Sequence, residues 1–122
     1  MRKKTGHEGE KIALRYLKKK GFKILDTNFR ALRGEIDIIA REGNTLVFIE
    51  VKTNVSRGAV SPELRVNTAK QRQIGKIARI YVQKNKLEST DCRFDVIGII
   101  LNDNGRHDIS HYRDAFWLPR NI

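Results

Sequence analysis

The order of predicted elements, α-β-β-β-α-β-β, makes this an α/β chain with a central mixed sheet flanked by helices. Three observations predict it. Two segments carry apolar residues at helical spacing, one before and one after a block of three strands. The strand segments are rich in Ile and Val. The two central ones are apolar on both faces, so each face of the sheet needs a covering layer.

Residues 6–20 read as the first helix. Ile12, Ala13, Tyr16 and Leu17 form one apolar stripe, and Gly21 stops the helix. Residues 22–29, FKILDTNF, suit a first strand. Residues 35–41 and 45–52 are the next two, separated by the turn signal EGNT. Residues 53–61 lack periodicity and contain Gly58, which suggests a mobile loop. Ser61-Pro62-Glu63 has the composition of a helix start, and the helix should run to about residue 86. Its buried stripe would be Ile74, Ile77, Ala78, Tyr81 and Val82. Residues 93–101 make a fourth strand, Asn102-Asp103-Asn104-Gly105 a turn, and residues 107–113 a fifth strand. Phe116, Trp117, Leu118 and Pro119 should pack the tail onto the body.

A length of 122 residues suits a single domain over residues 1–122. Hydrophobic residues make up 39% and charged residues 32%, a soluble globular composition. No apolar run approaches the ~20 residues that cross a bilayer. The basic N-terminus has no apolar segment behind it, so it is not read as a secretory signal. Cys92 is the only cysteine, which fits a reducing cytoplasm.

The 25 Lys and Arg outnumber the 14 Asp and Glu, a formal charge of +11, and this excess favours a polyanion. Eight bases lie in residues 1–20, including Lys3 and Lys4. Eight more lie in residues 53–86, including Arg57, Lys70, Arg72 and Lys76, against Glu63 alone. Interspersed acids are nearly absent from both stretches, so nucleic acid is favoured over simply solvated faces. A membrane surface is disfavoured, because no helix pairs a basic face with a bulky apolar one.

Two stretches point to chemistry: GEIDIIA at residues 34–40 and VFIEVKT at 47–53. If they form a hairpin turning at Gly43-Asn44, paired positions sum to 87. Asp37 then opposes Glu50, at a Cβ separation of about 4.5–5.5 Å. Lys52 falls on the face of Glu50. Ile36, Ile38, Val47 and Ile49 would share one face, and Ile39, Leu46 and Phe48 the other. Two carboxylates so close do not both ionise without a partner. Either Lys52 pairs with them, or a divalent cation such as Mg²⁺ binds through oxygen ligands. The cation would polarise a phosphoryl oxygen and lower the pKa of a water, with Lys52 offsetting transition-state charge. Glu10, early in the first helix, is a further acid that can overhang the strand ends, although an acid there commonly complements the helix dipole.

Asp37, twelve residues, then Glu50-Val51-Lys52 resembles the D…(D/E)-x-K motif of restriction-endonuclease-like nucleases. Gly6-x-x-x-Glu10 resembles the first-helix motif of archaeal Holliday junction resolvases. The pieces GHEGEKIA, GEIDIIA, FIEVKT, Lys70-Gln71-x-x-Ile74 and Arg93-Phe94-Asp95-Val96 together resemble the YraN family of small bacterial proteins, from residue 6 to about 116. The resemblance implies a restriction-endonuclease-like αβββαβ core. It implies Mg²⁺ or Mn²⁺ held by Asp37, Glu50 and the Val51 carbonyl with help from Glu10, a catalytic Lys52, and Gln71 or Gln73 near the site. Ile36 stands where the motif's name has proline. DNA, in particular branched or junction DNA, is the implied substrate, and a homodimer the implied assembly.

The expectation is therefore a metal-dependent endonuclease acting on DNA, in the bacterial cytoplasm. The rival is a non-catalytic nucleic-acid-binding module on the same scaffold. His107 and His111 lack metal-ligand spacing and are read as structural. His7 adjoins Glu10 in the first helix. Asp95, beside Arg93, is read as salt-bridged or solvated at a strand end rather than as a third metal ligand, Glu35 as facing solvent rather than reaching the site, and Cys92 as inert.

Overall fold

The computed structural model describes residues 4–55 and 67–116. Their elements are α1 (Lys4–Lys19), β1 (Lys23–Ala31), β2 (Gly34–Glu42), β3 (Thr45–Val55), α2 (Thr68–Lys84), β4 (Cys92–Leu101) and β5 (His107–Tyr112). The five strands lie side by side in chain order. β3 and β4 are parallel and the other neighbours antiparallel. This is the mixed sheet expected, and its order fits the αβββαβ core with one added strand.

One helix covers each face. Ile12, Ala13 and Leu17 of α1 pack with Ile38, Val47, Ile49, Ile97 and Ile99 of the sheet. Ile74, Ile77 and Tyr81 of α2 pack with Ile36, Ile39, Leu46, Phe48 and Val96 of the sheet and with Phe116. Both helices close with paired bonds of the Schellman type. After α1, Phe22 N–H reaches Leu17 O and Gly21 N–H reaches Lys18 O, with Gly21 at φ 96°. After α2, Leu87 N–H reaches Val82 O and Lys86 N–H reaches Gln83 O.

Three sequence expectations are corrected. The stretch read as loop from residue 53 is strand to Val55, because Thr53, Asn54 and Val55 pair with Ile99, Ile100 and Leu101 of β4. α2 does not run continuously from residue 61. Asn67 is its N-cap, extended at ψ 166°, and its side chain accepts from the Lys70 amide. The Ser61-Pro62-Glu63 start and the tail residues 117–119 lie outside the described residues. Finally, Ile36 belongs to the α2 face and Ile38 to the α1 face. Residues two apart in a regular strand share a face, so β2 is irregular at Asp37. Its partner across β1 would be Asn28, which sits at φ 52°, and neither residue takes part in the β1–β2 register.

On β4, Asp95 is 0% exposed and takes part in the salt bridge with Arg93. Arg93 Nε lies 3.0 Å away, His111 Nε2 2.8 Å, and the Asp114 amide donates at 2.9 Å. Burial alone would raise this carboxyl, but the hydrogen bonds with His111, Arg93 and Asp114 hold it below its ordinary value. His111 Nδ1 also bonds the Tyr16 hydroxyl at 2.9 Å, tying β4 and β5 to α1. His111 is thus structural.

Candidate metal centre

The hairpin register summing to 87 is observed from Glu42↔Thr45 to Ile38↔Ile49. It stops one pair short of Asp37 and Glu50. There the strands part, and the Asp37 carboxylate fills the gap by accepting the Val51 amide at 2.8 Å. Asp37 is therefore fixed by a backbone donor rather than by a ladder pair.

Around this opening lies a cleft of about 510 Å³ lined by Glu10, Glu35, Asp37, Glu50, Lys52 and Lys70, among others. α1 delivers Glu10. It can do so because Gly9 has no side chain: a Cβ there would stand 1.9 Å from Thr53 Oγ1 on β3. β2 delivers Glu35 and Asp37, β3 delivers Glu50 and Lys52, and α2 delivers Lys70. Glu10, Glu35 and Asp37 each offer a carboxylate oxygen within 4.8 Å of the others. Asn28 on β1 bridges two of them, its Nδ2 donating to Glu10 Oε1 at 3.3 Å and Glu35 Oε2 at 3.2 Å. Arg30 Nε lies 3.4 Å from Glu35 Oε1.

Glu50 stands apart from that trio. It is 4% exposed, and its Oε1 lies 3.7 Å from Lys70 Nζ. Its Oε2 is buried with no hydrogen-bond partner among the described residues. Burial and then the Asp37 charge push its pKa up to about 8, against the opposing pull of Lys70 and Lys52. A buried acceptor left unsatisfied costs about 1–3 kcal/mol. The donor set is all oxygen, the partnerless atom is a carboxylate oxygen, and the surplus charge is negative. These features fit a hard divalent cation such as Mg²⁺ or Mn²⁺.

The cleft gathers Glu10, Asp37, Glu50, Val51, Lys52 and Lys70 of the residues singled out in the sequence. Glu35, read there as facing solvent, belongs to it as well. Asn28 was not singled out, since an Asn in a strand carries no signal until its φ is known. Gln71 and Gln73 do not line the cleft, and Gln73 instead bonds the turn between β1 and β2. Arg72 and Lys76 are exposed on α2. Lys3, Arg57 and the side chain of Lys4 lie outside the described residues. His7 lines a separate opening with Lys11 and Arg15.

The profile of the "Uncharacterised protein family UPF0102" matches residues 9–99, a span holding Gly9 and all four carboxylates of the cleft. The chain belongs to the UPF0102 family. This is the YraN family that the motifs resemble. Among its relatives, a UPF0102 protein of Pelobacter propionicus is 47% identical over 116 residues, covering 93% of this chain and 83% of that one. One from Geotalea daltonii is also 47% identical, covering 95% and 91%. One from Caldicellulosiruptor saccharolyticus is 41% identical, covering 94% and 98%.

Proposed function

We propose that this UPF0102 protein is a divalent-metal-dependent phosphodiesterase acting on DNA. The observation that carries the reading is the buried, partnerless Glu50 oxygen beside Asp37, in a cleft that also gathers Glu10 and Glu35. A protein that only bound nucleic acid would gain nothing from these acids, which repel phosphate when no cation is present. Glu10, Glu35, Asp37 and Glu50 are the residues that would hold the ion. When bound, it would supply Lewis acidity toward a phosphoryl oxygen and lower the pKa of a water.

The chain's own residues do the rest. Lys52, on the face of Glu50, donates to the charge that develops on the phosphoryl oxygens and orients the attacking water. Lys70 offsets the Glu50 charge and presents a cation at the cleft mouth. The exposed Arg72 and Lys76 hold the flanking backbone through phosphates, which gives affinity without sequence preference. Two cuts in a four-way junction need two such sites, so a homodimer is the expected assembly.

The test is cleavage of fluorescent linear, flapped and four-way DNA with Mg²⁺, Mn²⁺ or EDTA. Wild type is expected to cut only with metal. Glu50→Ala should lose at least about 100-fold in rate, the usual scale for removing an essential electrostatic group. Salt-sensitive binding without cutting in either metal would replace this reading with a binding module.

A further inference from the structure

We propose that the turn between β1 and β2, Leu32-Arg33, is an apolar wedge that engages unstacked bases where DNA branches. The proposal rests on the nuclease reading and adds to it the residues that would read a branch in the substrate.

Ala31 pairs with Gly34, so Leu32 and Arg33 are the whole loop of a two-residue hairpin. Both sit in the left-handed region, at φ 49° and 61°. Such loops select Asn-Gly or Asp-Gly, because those residues tolerate the conformation. Leu and Arg there strain the backbone, and neither is buried in return. Leu32 is 53% exposed and Arg33 is exposed.

The turn is nevertheless clamped. Gln73 Nε2 on α2 donates to Leu32 O at 2.5 Å. Gly34 lies so close to α2 that a Cβ would meet Gln73 and Ile77 at 3.0 Å. Strained residues held rigidly by their surroundings are a mark of functional positions. Gln73, which the metal centre does not use, thereby acquires a role as a positioning residue.

Location and chemistry point to the ligand. Arg30, Leu32, Arg33, Glu35 and Lys70 line an opening of about 580 Å³. Glu35 and Lys70 also line the acidic cleft, so the two openings are contiguous. Two guanidinium groups beside one apolar side chain suit phosphates on either side of a base step, with Leu32 against the base faces. Inserting a side chain requires unstacking, which costs least where stacking is already broken. A fork or junction offers such a step and a continuous duplex does not.

The test places 2-aminopurine at the branch of forked and four-way DNA and in a linear control, all in EDTA. Wild type should raise the fluorescence at the branch only. Leu32→Asn suits the left-handed backbone, so its melting temperature should equal or exceed that of wild type. It should lose most of the fluorescence rise and about fivefold or more of the preference for branched over linear DNA, the lower range for one stacking contact. Leu32→Met should keep both. If Leu32→Asn retains the rise and the preference, the wedge is wrong while metal-dependent cleavage still sustains the nuclease reading. Failure to bind or cut DNA of any shape, with Mg²⁺ as well as in EDTA, would overturn both.

Discussion

Glu50 shows how one residue can link stability to function. Its carboxyl is buried, half-paired with Lys70 and pushed up to about 8. In the folded, metal-free chain it keeps its proton to that pH, whereas an unfolded glutamate releases it near 4.5. Between those values the folded state binds more protons, so the stability attributable to this group falls as pH rises across the window. Glu50→Gln has no proton to lose. In EDTA at about pH 9 the variant should melt at least as high as wild type, while at about pH 4 the two should differ little from this cause. Millimolar Mg²⁺ should raise the melting temperature of wild type, increasingly so toward high pH because the ion displaces a proton. It should leave Glu50→Gln nearly unmoved. Calorimetry across pH with and without the ion checks each point. A wild type indifferent to Mg²⁺ at every pH would remove the metal centre from this account.

At the scale of elements, the site depends on how closely α1 approaches β3. Ala is the better helix former than Gly by about 1 kcal/mol. At position 9 that gain is outweighed, because the added methyl would collide with the stiff, β-branched Thr53. Overpacking of this kind costs about 1–3 kcal/mol. Gly9→Ala should therefore destabilise the fold, shift Glu10 outward and weaken Mg²⁺ binding, measured by denaturant unfolding and by thermal shift with the ion. Pairing it with Thr53→Ser, which trims the obstructing side chain, should recover part of the loss. How well the elements could be read from sequence follows from similar local facts. The β2–β3 hairpin was legible because its runs are rich in Ile and Val on either side of a turn signal, and Gly43 at φ 60° supplies the turn conformation. The β1–β2 turn was not, because Leu32-Arg33 has no turn composition. The face of Ile36 was misread because a strand period assumes regular backbone, and Asn28 and Asp37 interrupt it. At that same interruption Asn28 donates to both Glu10 and Glu35, so the acid cluster lies where the regular pattern fails. The Asp37…Glu50-x-Lys52 spacing was legible because the charges sit inside otherwise apolar strands, where they demand an explanation.

Over the whole molecule, charge is partitioned. The chain carries +11, yet three of the four buried acids among the described residues, Glu10, Asp37 and Glu50, gather in one cleft, with Lys52 and Lys70 at its lining and Arg72 and Lys76 exposed farther along α2. A polyanion would be attracted over a broad basic surface and meet a concentrated group of carboxylates at the point where a cation would neutralise them. Long-range attraction and local chemistry then rest on different residues and should separate experimentally. Each phosphate contact contributes about 0.9 to the slope of log K against log salt on duplex DNA. Replacing Arg72 and Lys76 together by Ala should flatten that slope by up to about 1.8 and weaken binding alike for every sequence. The Mg²⁺-induced rise in melting temperature should stay unchanged, because neither residue lines the cleft. Glu50→Gln should give the converse pattern, losing the response to Mg²⁺ while keeping the salt slope measured in EDTA. If the double variant kept the full slope, DNA would have to bind along another face. The opening beside α1 with Lys11 and Arg15 would be the next surface to test. If both variants changed both readouts, attraction and chemistry would share one surface, and the division of labour between α2 and the sheet would be wrong.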